Sequence, residues 1–407
     1  MKIIFVVMYP YFARDHHRFG AEYMMERGHE VEIWHVANAG NSGLDYSAEY
    51  YKGENYHELT PEEYRAAANR NRKEAVFIVN GSGNPLITLA EENCRYLVMT
   101  GLGAVPKPHP VNANTPLSEE YSAIKRKIID SISDPLGFAK RRIGRLKKGC
   151  KDRTMKRLLI KNPPEFIVTS THLAAQRYLS PSELKCNIIY THALDYDRYI
   201  EVNRKNPNKE EKHILYCDSG FYHMCQDSVV LKRDFGHDCE GEYYSQLGKL
   251  FSLLEEHYHI PVVIAAHPHV VYGDNAFGGR KLIFDKTCEL ARDAAVFITT
   301  TSTATNFAVL YDLPILKIAS KRLKTVGYYG TDNAYDWIKY EAEELLGCGF
   351  VDLDDDNEMQ SPWNRIRRIP TEKRLEFLKD YVIDSNVSDQ TIAEVIEENL
   401  NKEWPKE

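Results

Sequence analysis

The 407 residues contain no run of roughly 18 apolar side chains, so the sequence offers no membrane-spanning helix. They contain no Cys-x-x-Cys pair either. The eight cysteines, at 94, 150, 186, 217, 225, 239, 288 and 348, are scattered, which argues against a zinc ribbon or a disulfide framework. Reduced and mostly buried thiols in a cytoplasmic protein are the expectation. An excess of basic charge is also missing: 52 Lys and Arg face 59 Asp and Glu, a formal net charge of −7 that argues against wholesale nucleic-acid binding. The opening Met1-Lys2-Ile3-Ile4-Phe5-Val6-Val7-Met8 lacks a following small-residue cleavage site and reads as a buried strand ended by Tyr9-Pro10. Of metal signatures there is little. Asp352-Leu353-Asp354 fits the letters of a DxD but opens an acidic stretch that reads as solvated, and His267 with His269 has no third ligand at useful spacing.

What is present is an ordinary globular composition, 43% hydrophobic and 27% charged, in a chain long enough for two cores of about 200 residues each. Apolar runs at 3–8, 31–36, 75–79, 95–99 and 166–169 read as strands, several of them ending in Gly-rich or hydroxyl-rich turns that lead into helices. Residues 14–27 read as one helix between the first two. A second set follows, with strands at 213–217, 261–266, 295–299 and 314–318 and helices at 241–258, 287–292 and 303–311. The stretch 193–212, charged and containing Asn and Pro, reads as a linker. Strands alternating with helices imply parallel sheets with ligand sites at the strands' C-terminal ends. The expected fold is α/β, with two Rossmann-like domains at 1–195 and 205–370, a cleft between them, and closing helices over 371–407.

One segment departs from the average. Residues 125–161 hold 14 Lys and Arg against three Asp, with Phe138, Ile143, Leu146, Met155, Leu158 and Leu159 interleaved. A solvated helical pair explains this composition, and so does a basic-apolar surface that docks on an anionic membrane, at about 1 kcal/mol per basic residue near the surface. The 26 tyrosines are compatible with a homodimer.

The chemistry-bearing positions cluster in the second half. Val262-Val263-Ile264-Ala265-Ala266-His267-Pro268 is a buried strand stopped by proline, which leaves His267 at the sheet edge, where it can donate to or protonate a leaving phosphate. A structural turn histidine is the competing reading. Residues 299–305 carry six hydroxyls in seven positions, more than helix capping needs, and Thr301, Ser302, Thr303 and Thr305 are candidate phosphate or carboxylate contacts. Asp218 ends the strand Ile214-Leu215-Tyr216-Cys217 and reads equally as a general base or as a capping carboxylate. On the other half, Tyr9, Arg14 and His16 follow the first strand and suit a sugar face and an anionic group. Arg280 and His223 are weaker donor candidates.

Taken in order, Asp218-Ser219-Gly220, then His267-Pro268, then Ser302-Thr303 resemble the acidic-acidic-Gly, His-Pro and Ser/Thr motifs of GT-B bacterial sialyltransferases and related CMP-sugar transferases, including Kdo-transferring enzymes. The resemblance covers about residues 214–318 and departs at Ser219, where those enzymes carry an acid. It implies a metal-independent glycosyltransferase that needs no cofactor beyond its nucleotide-sugar co-substrate. The donor would be a CMP-linked keto acid such as sialic acid or Kdo, and the acceptor a surface glycan or lipid-linked glycan. In that family Asp218 stands at the base, His267 at the departing phosphate, and Gly220, Pro268, Thr301, Ser302, Thr303 and Thr305 around the donor. His-Pro also occurs in polyol-phosphate transferases and in UDP-N-acetylglucosamine 2-epimerases, and Ser219 leaves room for a catalytically degenerate nucleotide-sugar-binding protein.

Overall fold

The computed structural model describes residues 1–8, 11–36, 50–81, 84–103, 106, 161–180, 182–206, 208, 210–220, 240–268, 270, 272–273, 275–325, 333–384 and 389–403. Nearly all of the basic segment 125–161 lies outside the described residues.

Two parallel sheets organise the chain. The first runs β3-β2-β1-β4-β5-β6-β7, built from β1 (Lys2–Val7), β2 (Glu30–Val36), β3 (Tyr56–Leu59), β4 (Ala75–Asn80), β5 (Arg95–Met99), β6 (Ile167–Thr169) and β7 (Ile188–Tyr190). The second runs β10-β9-β8-β11-β12-β13, from β8 (His213–Cys217), β9 (Val262–Ala265), β10 (Leu282–Ile283), β11 (Ala294–Thr299), β12 (Ile315–Ala319) and β13 (Gly349–Asp352). Both orders are Rossmann-like, so the expected α/β plan of two such halves holds. Central strands such as β8 and β12 are buried along their whole length, as strands covered by helices on both faces must be.

The helices follow from pattern and caps. Those among the first strands are α1 (Ala13–Arg18), α2 (Ala21–Glu26), α3 (Pro61–Asn71), α4 (Asn84–Glu91) and α5 (His172–Tyr178). Between the sheets runs α6 (Leu194–Lys205). Then come α7 (Glu240–Tyr258), α8 (Thr287–Arg292), α9 (Thr305–Leu310), α10 (Ala334–Tyr340), α11 (Asp356–Gln360), α12 (Thr371–Phe377) and α13 (Ile392–Glu403). On α7 the side chains of Tyr243, Leu247, Leu250, Phe251 and Leu254 form one buried stripe at helical spacing, each contributing about 1.5–3 kcal/mol of apolar burial. Thr60 caps α3 by accepting the Glu63 N–H, with Pro61 at the first helical position. Among the described residues no helix is long and apolar enough to cross a membrane.

The structure changes several of the local readings. The single helix expected over 14–27 is two helices, because Gly20 adopts φ +81° between them; a Cβ there would lie 2.6 Å from the Ala393 Cβ of α13. The stretch read as a linker folds as α6, with Ile200 and Val202 buried. Strand β3 has only partly buried or exposed residues and lacks an alternating apolar signal. Helix α13 returns to the first half: Ile392, Ile396 and Leu400 join Ile3, Phe5, Ala21 and Met24 in one core. Its Glu397 accepts bonds from Tyr23 Oη at 2.8 Å and Arg27 Nε at 3.2 Å.

Candidate functional site

In both sheets the strand order reverses beside the first strand, between β1 and β4 and between β8 and β11. Crevices beyond the C-terminal strand ends form at such switch points. A cavity of about 430 Å³ lies there, lined from both halves. Arg14, His17 and Arg18 contribute from α1, and Asp195, Asp197, Arg198 and Glu201 from α6. The second half supplies Asp218, His267, Pro268, Asp285, Glu289, Ser302 and Thr303.

The second-half wall is a connected set. Asp218 is buried and accepts three hydrogen bonds: from Tyr272 Oη at 2.7 Å, from Tyr216 Oη at 3.3 Å and from the Gly220 N–H at 3.2 Å. The Tyr272 hydroxyl in turn accepts the His267 backbone N–H at 2.6 Å, so Asp218 and the His267 turn are fixed through one phenol. Burial, then the Asp218 charge, pushes that phenol well above the ordinary tyrosine range. Gly220, at φ +67°, lets the His267 ring approach: a Cβ would stand 3.4 Å from the ring's Cγ and Nδ1 and 3.1 Å from Val270 Cγ2. The Ser219 hydroxyl bonds to that of Thr300, tying the end of β8 to the turn after β11.

The hydroxyl-rich turn divides its labour. Thr299 Oγ1 donates to the Cys217 carbonyl at 2.8 Å. Thr305 Oγ1 accepts from Lys317 Nζ at 3.1 Å beneath the turn, and Lys317 pairs with Glu341 at 3.1 Å, both ions buried. Ser302 accepts the Ala304 N–H at 3.2 Å, and it and Thr303 reach the cavity. Thr301, Thr305 and Gly220 are not among the lining residues.

On the opposite wall, Arg14 lines the cavity and lies 3.7 Å from Asp285 across the cleft. His16 turns aside, stacked on Tyr51 with centroids 4.2 Å apart and edge-on to Tyr11. Its neighbour His17 takes the cavity position, bonded to Glu201 and Glu22 at 2.8 Å each, and the Glu201 bond foremost pushes its pKa up to about 9. Arg280 packs outside the cavity, on Glu255 and over the Phe251 ring. Tyr9, His223 and His269 lie outside the described residues. Of the DxD letters, Asp352 is buried and bonded to Tyr335 Oη at 2.9 Å, and Asp354 is half-buried and accepts from Ser320, the Lys321 N–H and Gln246.

The contributions of α6 were not singled out from the sequence. Burial raises the pKa values of Asp195 and Asp197, and Arg198 forms an ion pair with Glu289 of the other half. Asp195 and Asp197 in the first turn and Arg204 and Lys205 in the last match the helix dipole, a signal that marks this segment as a helix.

No family model and no curated protein matches this sequence. Among solved structures the chain is similar to the wall teichoic acid polymerase TagF, at 13% identity and TM-score 0.47 over 99% of this chain and 90% of that one. It is also similar to a putative UDP-N-acetylglucosamine 2-epimerase from Listeria monocytogenes, at 11% identity and TM-score 0.40 over 93% and 94%. A further UDP-N-acetylglucosamine 2-epimerase gives 10% identity and TM-score 0.44 over 100% and 97%.

Proposed function

We propose that the cleft binds a nucleotide-activated sugar and that the protein is a metal-independent glycosyltransferase acting on a surface-glycan acceptor. The observation that carries this reading is the cavity at the second sheet's switch point, where His267-Pro268 and Ser302-Thr303 face Arg14 and Arg18 of α1. Donor phosphate fits against His267, Ser302 and Thr303, where hydroxyl donors and an imidazole meet negative charge as it develops on the leaving group. The acceptor enters from the α1 side. The cavity's volume is within the range of small-molecule sites, about 300–1,000 Å³. Residues 303–312 contain no glutamate to hold ribose hydroxyls, which favours a CMP-linked keto acid over a UDP- or GDP-hexose.

A second reading has a specific observation behind it. Sugar epimerisation needs several carboxylates, and Asp195, Asp197, Glu201, Asp285 and Glu289 join Asp218 around the cavity, where the sequence singled out Asp218 alone. Thermal unfolding with CMP, CDP, UDP, GDP and their sugar conjugates separates the two. A ligand at 100 times its Kd adds about 2.7 kcal/mol of stability. Stabilisation by CMP that is lost in His267→Ala is the expected result; preference for UDP favours the isomerase, and no stabilisation by any nucleotide overturns both.

A further inference from the structure

The proton of the acceptor hydroxyl needs a destination, and Asp218 is poorly suited to be one. Its Oδ1 accepts from Tyr216 and Gly220 and its Oδ2 from Tyr272. A carboxylate so engaged by donors has little unused lone-pair capacity for the acceptor's proton. Across the cavity, at the start of α6, Asp195 is arranged otherwise. Its Oδ2 accepts from Asn306 Nδ2 of α9 at 2.9 Å, while its Oδ1 lies 3.7 Å from Arg18 Nη2, beyond hydrogen-bond reach. The residue is buried yet lines the cavity.

We propose that Asp195, and not Asp218, receives the proton of the acceptor hydroxyl, an inference that rests on the transferase reading above. As the acceptor oxygen bonds to the anomeric carbon of the donor, its O–H bond breaks and the proton passes to Asp195 Oδ1. The bond from the anomeric carbon to the phosphate oxygen breaks with its electron pair, which leaves with the nucleotide beside His267. The protonated carboxyl then returns the proton to solvent. Asp218 acts through Tyr272 and Gly220 as a positioning residue for His267.

The electrostatic setting suits that role. Burial raises the proton affinity of Asp195, and Arg18 and the Asn306 bond moderate the rise. Cys217 at the end of β8 and Cys288 on α8 face it as thiols whose own pKa values burial pushes up to about 12, so they remain neutral beside it. His17 on α1, Asp197 and Arg198 on its own helix, and Glu289 on α8 line the same cavity. Arg18 has no other ionic contact among the described residues, which leaves its charge to offset part of the effect of burial on Asp195.

The test uses the full chain with CMP-N-acetylneuraminic acid and UDP-N-acetylglucosamine as probes, nucleotide release from pH 5 to 9 as the rate, and calorimetric nucleotide binding alongside. Asp195→Asn should lower kcat about 100-fold or more and abolish the rise of rate from acid pH, with nucleotide Kd changed less than about threefold. Arg18→Gln should move that rise to higher pH, because it removes the charge that favours the ionised carboxylate; a structural role would leave the limb in place. Asp218→Asn should raise KM and keep the limb. If Asp195→Asn keeps kcat within about threefold, or if Asp218→Asn is the variant that loses the limb, the assignment is overturned while nucleotide binding still stands. A wild-type protein that binds neither nucleotide overturns the transferase reading itself.

Discussion

The ion pair beneath the hydroxyl turn gives the sharpest test of how the second half is built. Lys317 sits wholly buried in β12, with its Nζ 3.1 Å from Glu341 Oε1 and 3.1 Å from Thr305 Oγ1. Glu341 Oε2 is buried with no hydrogen-bond partner, so the charge is compensated almost entirely by this one contact. Removing one partner of a buried pair leaves an uncompensated charge and costs about 3–5 kcal/mol, whereas replacing both with apolar side chains of similar volume is close to neutral. Glu341→Gln is therefore expected to destabilise by about 4 kcal/mol, which at a urea m-value of about 2.5 kcal/mol/M lowers the midpoint by about 1.5 M. The double variant Lys317→Met with Glu341→Leu should regain most of that loss. Trp337 and Trp363 lie in the second half, and with Trp34 of β2 and Trp404 replaced by Phe, fluorescence-detected urea unfolding reads the relevant transition. A single variant costing less than about 1 kcal/mol, or a double variant as unstable as the sum of the singles, would refute the argument.

Two further outcomes follow from the geometry. The raised pKa of His17 stabilises the fold in full below the ordinary imidazole value of 6.5 and loses that stabilisation as pH rises through about 9. The Tm gap between wild type and His17→Asn should narrow across that window, and a gap independent of pH would contradict the His17–Glu201 bond. Gly20→Ala combines a strained φ of +81° with a 2.6 Å contact to Ala393, and should cost about 1–3 kcal/mol with faster amide exchange in α13. Unchanged exchange there would mean that α13 does not dock at Gly20.

Much of the second sheet was legible because its central strands are continuous apolar runs: β8 and its neighbour β11 were placed within a residue of their observed bounds. Edge strands were not. Tyr56-His57-Glu58-Leu59 shows nothing that distinguishes β3 from a polar loop, since what holds it to β2, the backbone ladder and the Tyr56 Oη–His35 Nδ1 contact at 3.0 Å, depends on a strand distant in the sequence. At the site, His267-Pro268 and Ser302-Thr303 were visible as strand-end chemistry. Asp195 was not, because its depth depends on Asn306 and Arg18 arriving from distant parts of the chain. Thr305 shows the converse limit: its hydroxyl suggested a ligand contact, and the buried Lys317 one strand away had already claimed it. Likewise the acid at 352 looked solvated until Tyr335 and Lys321 covered it.

The return of the chain to its first half has a mechanical consequence. The polypeptide passes between the halves once through α6 and again after α12, where Ala193 N–H donates to the Val382 carbonyl at 2.7 Å and Thr171 Oγ1 to the Asp380 carbonyl at 2.7 Å. Two crossings held side by side by these bonds form a double-stranded strap, so the halves are tied at two points of the chain rather than one. Severing the chain after α6 would also strip the first half of Ile392, Ile396 and Leu400, each worth about 1.5–3 kcal/mol of burial. Helix α13 thus belongs to the core of the first half although the chain reaches it only after the second half, so that core can close only once residues 392–400 have been made.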